Sequence, residues 1–262
     1  MERETTRAVN EYGIGGESRA FRYTTAKVRV DETSLTDEMV LGRAFHMVCS
    51  PERCVSLVKG IEAERDRLGC AEDAIFVWEP VPDACELSAL DAVREAARYV
   101  DVVSPNLAEL SALFGKDEME DEQYERMDER CVAILQGEFG DRGGAVVVRC
   151  GSRGCYLKSR VCTRQLPAYW TGSEAKEHVV DPTGGGNQFL GGLCMGLQSD
   201  TPEGYSRLER GGIFGNIAAS FAVEQFGAPK LSKGPSGDEL WNGVPVEERM
   251  RRYISRLTSL AP

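Results

Sequence analysis

The densest chemistry in the sequence lies at His178–Gly192, HVVDPTGGGNQFLGG. A β-branched run over His178–Asp181 reads as a strand ending in Asp181. Pro182 and Thr183 then lead into Gly184, Gly185 and Gly186, and a helix is expected to start near Asn187. Three consecutive glycines let backbone N–H groups approach a ligand with no Cβ in the way. At a helix N-terminus those groups lack intrahelical acceptors and the dipole favours negative charge. The chemistry is that of a phosphate or oxyanion site. Other phosphate loops fit less well. A Walker A loop needs Lys-Ser/Thr after its last glycine, and Asn187-Gln188 stands there. A dinucleotide fingerprint belongs on an early strand–helix turn with a different spacing, and the G-x-S-x-G elbow of serine hydrolases is absent from the sequence.

Such a loop has to be held at the edge of a sheet, and the chain supplies the parts. Short β-branched runs at Phe45–Cys49, Ala74–Trp78, Asp101–Ser104, Ala145–Arg149 and His178–Asp181 predict strands. Between them, helical spacing appears at Glu52–Leu68, Leu87–Tyr99, Ala108–Phe114 and Asp121–Gln136. Strands alternating with helices imply crossovers and a mostly parallel sheet covered on both faces, a three-layer α/β/α domain. Residues 162–177 read as a loop, and two helical segments follow near 187–198 and 205–226, with Gly227 as a candidate C-cap before Pro229. A polar segment at 1–27, with an extended stretch at Phe21–Tyr23, precedes the α/β domain at 28–230. A Gly/Pro-rich and then charged tail occupies 231–262. The acidic patch Lys116–Glu122 reads as a solvated helix entry.

Composition narrows the function classes. The chain has 262 residues, 42% hydrophobic and 28% charged, which excludes collagen-like, low-complexity and disulfide-scaffold proteins. Lys and Arg number 31 against 42 Asp and Glu, for a net charge of −11 with no basic run to offset it, so a nucleic-acid partner is not expected. Nine cysteines include no C-x-x-C pair, and the two histidines, His46 and His178, lie far apart. The expected state is free buried thiols in a reducing compartment rather than a zinc cage. The first residues carry no apolar signal core, and no apolar run approaches the roughly 18 residues of a membrane span, so a cytoplasmic chain without a membrane partner is expected.

Three motifs in order carry a family resemblance. Asp181-Pro-Thr-Gly-Gly-Gly-Asn187, followed by Phe189-Leu-Gly-Gly, resembles the C-terminal signature of the PfkB (ribokinase-like) carbohydrate kinases. Ser104-Pro-Asn106-Leu-Ala-Glu109-Leu110 resembles that family's second motif, and Val148-Arg-Cys-Gly151-Ser-Arg-Gly154 its nucleotide-side G-x-x-G turn. Trp78-Glu-Pro-Val-Pro82, Cys49-Ser-Pro-Glu-Arg-Cys54 and the Gly-Gly-Gly-Asn form of the signature are similar to a fungal branch, the maintenance-of-killer type. The resemblance spans residues 20–230 and implies a ribokinase-like fold whose lid and sugar-binding part are reduced or missing at the N-terminus. Gly13-Ile-Gly-Gly16 offers a glycine pair there without the pattern that should follow it.

The resemblance implies roles by position. Gly184, Gly185 and Gly186 would form the anion hole for a transferring phosphoryl group. Asn106 and Glu109 would position Mg²⁺ and phosphate through water. Gly151 and Gly154 would turn the backbone around ATP, and the helix bearing Asn216 would wall the adenine pocket. Asp181, with Thr183 beside it, would hold the anion-hole loop, together with a monovalent cation. The implied activity is ATP-dependent phosphorylation of a sugar or similar small polyol. One position departs from the pattern. Asn187 stands where the family has its general-base Asp, and an amide has no useful basicity near neutral pH. Asn187 could equally serve only to cap the helix. The implied function is a weakened kinase, or alternatively a catalytically impaired nucleotide-binding pseudo-kinase or scaffold.

The remaining polar candidates read more simply. His46 is expected as a satisfied core histidine and His178 as a structural one. Glu79 follows Trp78 at the carboxyl end of a strand and is open to either a ligand-facing or a structural role. Arg149 and Arg153 flank the G-x-x-G turn, either reaching a phosphate or standing free on the surface.

Overall fold

β4, Ile75–Pro80, is buried along its whole length, as a strand covered on both faces of a parallel sheet must be. It belongs to a six-stranded sheet in the order β3 (Ala44–Cys49), β4, β5 (Val102–Val103), β6 (Ala145–Arg149), β7 (Cys155–Ser159) and β8 (Thr163–Leu166). β3 to β6 are parallel, and β7 and β8 return antiparallel. The computed structural model describes residues 5–12, 19–115, 124–136, 142 and 144–259. The glycine pair at 13–16 and the acidic patch at 116–122 lie outside the described residues.

Two compact units are present, one of residues 1–41 and 60–70, the other of residues 42–59 and 71–262. In the first, β1 (Ala8–Tyr12) and β2 (Arg19–Tyr23) pair antiparallel, with Asn10 opposite Phe21. The Thr25 hydroxyl ties the ends of the hairpin, accepting from the Arg7 N–H at 2.7 Å and donating to the Thr5 carbonyl at 3.0 Å. The short helix α1 (Asp37–Val40) is capped by the Thr36 hydroxyl, and buried Arg65 donates to the Val40 carbonyl at 2.7 Å.

The helices are α2 (Pro51–Arg67), α3 (Leu90–Ala97), α4 (Leu107–Leu113), α5 (Tyr124–Leu135), α6 (Gly172–His178), α7 (Gly185–Gln198), α8 (Arg207–Ala222) and α9 (Val246–Ser259). In the second unit, α7, α8 and α9 bury Phe189, Leu190, Leu193, Ile213, Ile217 and Tyr253 over Val77, Val147, Leu157 and Leu166 of the sheet. On the other face α3 and α5 bury Val93, Ala96, Met127, Cys131 and Ile134. The three-layer α/β/α arrangement matches the expectation.

Several local expectations are corrected. His178–Asp181 is not a strand. His178 ends α6, and the Val180 and Asp181 N–H groups both donate to the Val223 carbonyl beyond the end of α8. The β-branched run is satisfied by a helix terminus instead of a sheet edge. Residues 162–177 are not a loop, because they hold β8 and most of α6. Gly227 is not the cap of α8: the helix stops at Ala222, and the Gln225 side chain donates to the Phe221 and Ala222 carbonyls at 3.0 Å each. α7 begins at Gly185, so Asn187 lies within its first turn and is not its cap. The segment from Leu231, expected as a tail, contains the hairpin β9 (Leu231–Lys233) and β10 (Glu239–Trp241) and then α9.

α9 is amphipathic in an unusual sense, because its inner face carries a buried arginine and a tyrosine. Tyr253 is fully buried. Its hydroxyl accepts from Asn216 Nδ2 at 2.9 Å and donates to the Pro167 carbonyl. Tyr253→Phe would leave two buried groups short of a partner, since Asn216 Nδ2 would retain only Cys155 Sγ at 3.6 Å. The expected loss is about 1–3 kcal/mol, read as a lower urea midpoint with an unchanged slope.

Candidate active site

The parallel strands deliver their functional residues to one edge. Arg149 ends β6. Its N–H bonds to the Pro105 carbonyl at 2.9 Å, which sets Asn106 beside it in a parallel bridge. Asn106 caps α4, its Oδ1 accepting from the Glu109 N–H at 2.9 Å. Glu109 reaches back: Oε1 accepts from Asn106 Nδ2 at 2.7 Å and Oε2 from the Asn106 N–H at 2.8 Å. Both side chains of the second motif therefore form a capping box.

Arg149 is not a free surface arginine. Its Nη2 donates to Glu79 Oε1 at 2.6 Å and to Glu109 Oε2 at 3.2 Å. Glu79, at the end of β4, also lies 3.6 Å from His46 Nε2. His46 is therefore not a satisfied core histidine. It sits on the edge strand β3, partly open to solvent, paired with a carboxylate. Burial alone would push the Glu79 carboxyl up, but His46 and Arg149 outweigh it and hold the group below the ordinary carboxylate range. A carboxyl whose folded pKa is depressed adds stability above its unfolded pKa and loses it as pH falls through the folded value. Glu79→Gln is expected to flatten the acid limb of the stability–pH curve and leave its slope at neutral pH unchanged, as urea midpoints across the acid range would register.

Next to this cluster lies a cleft of about 270 Å³. It brings together Arg149, Gly151, Gly154, Gly185, Gly186 and Asn216, which the sequence places in two separate motifs and a later helix. Gly184, Thr183, Asp181 and Asn187 do not line it. Gly184 is the left-handed N-cap of α7, with φ +84°. Asp181 Oδ1 accepts from the Thr183 N–H at 2.9 Å and so shapes the approach to the glycines. Asn187 is exposed on the first turn of α7. A Cβ on Gly186 would stand 2.7 Å from Arg149 Nη1, so the guanidinium would have to shift from its carboxylate partners. Asn216 is buried on the α8 side, its amide held by Tyr253.

Sequence reasoning missed part of the wall. Tyr169, Trp170 and Ser220 line the cleft. Behind them, buried Arg249 of α9 lies 3.6 Å from the Phe221 ring centroid and donates to Ser220 Oγ at 2.8 Å. His178 stacks on Trp170 with centroids 3.9 Å apart, a structural role reached from a helix end. The adjacent aromatics Tyr169-Trp170 were the available signal, hidden within a segment read as a loop.

The residues present fit a nucleotide better than a divalent ion. The cleft is lined by glycine backbone and by aromatic and apolar side chains. Glu109, by contrast, has both oxygens engaged by Asn106 and Arg149, and a guanidinium stands where a cation would approach. Asn106 and Glu109 in this arrangement do not fit a metal-positioning role. Among the described residues no group of three or more His, Cys, Asp and Glu side chains could hold a metal ion. All nine cysteines are free thiols, seven of them buried. No described helix is long and apolar enough to cross a membrane.

The model of the pfkB family carbohydrate kinases matches residues 69–233. The chain belongs to the pfkB carbohydrate kinase family. Protein MAK32 of Saccharomyces cerevisiae is 31% identical to this pfkB chain over 272 residues, covering 97% of the chain and 70% of MAK32. The fold is that of ribokinase. The Giardia lamblia enzyme superposes with a TM-score of 0.65 at 18% identity, covering 97% of this chain and 72% of its own. Arabidopsis thaliana ribokinase complexed with ribose and ATP gives a TM-score of 0.57 at 19% identity, covering 95% and 69%. The pfkB match takes in the glycine run, the Asn106–Glu109 pair and the G-x-x-G turn.

Proposed function

We propose that this pfkB chain binds ATP in the cleft beside α7 and α8 and transfers its phosphoryl group slowly to a hydroxyl of a sugar or similar small polyol. The observation that carries this reading is the convergence of the Gly151–Gly154 turn, Gly185 and Gly186, and the α8 wall at Asn216 on one cleft. Backbone N–H groups at the start of α7 suit phosphate oxygens. Tyr169, Trp170 and Val223 provide an apolar seat for the base. Phosphoryl transfer needs chiefly positioning and charge stabilisation, and the glycine loop supplies the latter. Nine free thiols suit a reducing compartment such as the cytoplasm.

Asn187 supports a second reading, a nucleotide-binding pseudo-kinase or scaffold, because its amide takes up no proton from an attacking hydroxyl. Two measurements separate the readings. Calorimetric titration with ATP tests the cleft, and ADP release across a sugar and polyol panel tests transfer. Binding with slow, hydroxyl-dependent release supports the kinase. Binding without release selects the pseudo-kinase. Absence of binding overturns both.

A further inference from the structure

We propose that Arg149 serves as the built-in cation of this phosphate site, so that nucleotide binding proceeds without a divalent metal at Asn106 and Glu109. The inference rests on the nucleotide reading of the cleft. Its starting point is how the guanidinium is held. Glu79 and Glu109 both grip Nη2, at 2.6 and 3.2 Å. The other two nitrogens are left over. Nε is buried without a hydrogen-bond partner. Nη1 rests against the open face of Gly186, 2.7 Å from where a Cβ would stand. Arg149 thus lines the cleft and turns Nη1 to the glycine loop.

The same arrangement works against a metal. Glu109 already neutralises Arg149 and accepts two bonds from Asn106. A divalent ion there would have to displace the guanidinium, leaving a charge with little solvent and one partner fewer. The remaining Nη1 can donate a charge-assisted hydrogen bond directly to a phosphate oxygen. The first turn of α7 adds its positive end on the same side. The two carboxylates hold Nη2 and thereby orient Nη1 toward Gly186, leaving that nitrogen for the anion.

The test is ATP affinity of the full chain, by calorimetry, in EDTA and in excess Mg²⁺. The two affinities are expected to agree within about fivefold, the lower end of ordinary linkage between ligands. Arg149→Met together with Glu79→Gln removes the cation and one carboxylate, so that Glu109 alone remains. In that variant ATP binding in EDTA should fall at least about tenfold, the loss of one charge-assisted contact, and Mg²⁺ should restore part of it. Arg149→Lys keeps the charge but has a single nitrogen, which the two carboxylates would hold, so its binding should weaken in both buffers alike. Wild-type binding seen only with Mg²⁺ overturns this inference and leaves the cleft reading intact. Undiminished binding by the double variant in EDTA does the same. Absence of binding in both buffers overturns the cleft reading and the inference together.

Discussion

Asn187→Asp is expected to raise hydroxyl-dependent phosphoryl transfer on the order of 10²-fold, the lower end of what a positioned general base contributes. The exchange is nearly isosteric. Because α7 starts at Gly185, residue 187 lies in the first turn rather than at the cap, and it is exposed. A carboxylate there meets the positive end of the helix dipole, so stability should hold or rise slightly. The same dipole favours its ionised form, while phosphates in the cleft oppose it. The measurement is ADP release over the sugar and polyol panel, with hydrolysis in the absence of any hydroxyl substrate as the baseline. A gain confined to the reactions with a hydroxyl substrate supports residue 187 as the base position. Unchanged turnover with ATP binding intact removes residue 187 from the base position, and turnover absent from both chains leaves the nucleotide-binding reading.

What the sequence disclosed and what it concealed differ by the range of the interaction. The glycines at 151, 154 and 184–186 were legible because their chemistry is local: a backbone turn, an open helix start. The alternation of β3 to β6 with helices was legible because burial on both faces imposes apolar runs. The Arg149 cluster was not, since its partners stand 70 and 40 residues away, and an arginine after a strand looks the same whether solvated or gripped. His178–Asp181 misled because β-branched residues favour extended backbone without specifying its partner, here the Val223 carbonyl. α9 was hidden by its charges. Glu247, Glu248, Arg249, Arg251, Arg252 and Arg256 read as part of a charged tail, yet Arg249 is buried against Phe221, and Arg256 donates to the Ala168 and Tyr169 carbonyls at 2.7 and 2.6 Å. Long cationic side chains can lay their stems along apolar surface, so charge count alone does not reveal the buried face of the helix.

Gly154→Ala is expected to be the most destabilising single-methyl change at the nucleotide turn, costing on the order of 4 kcal/mol. Two terms add. Gly154 has φ +88° and ψ −124°, a region that costs an L-residue about 1–3 kcal/mol. A Cβ would also stand 2.1 Å from the Leu166 carbonyl oxygen, 2.4 Å from the Pro167 carbonyl carbon and 2.5 Å from the Ala168 N. These are backbone atoms that cannot rotate aside, and overpacking of this kind costs about 1–3 kcal/mol more. Gly151→Ala in the same turn provides the control. Its φ is +57°, and a Cβ there has nothing within 4 Å, so only the left-handed cost of about 1 kcal/mol applies. Urea midpoints of the two variants should therefore differ by about 3 kcal/mol in free energy. Equal losses would show that conformational strain alone sets the requirement for glycine. The predicted difference instead assigns Gly154 to the fold, where it lets the β6–β7 turn lie against the Leu166–Ala168 backbone that carries Tyr169 and Trp170 into the cleft. Gly151, open on its outer side, is then the glycine whose substitution should affect ATP affinity more than stability.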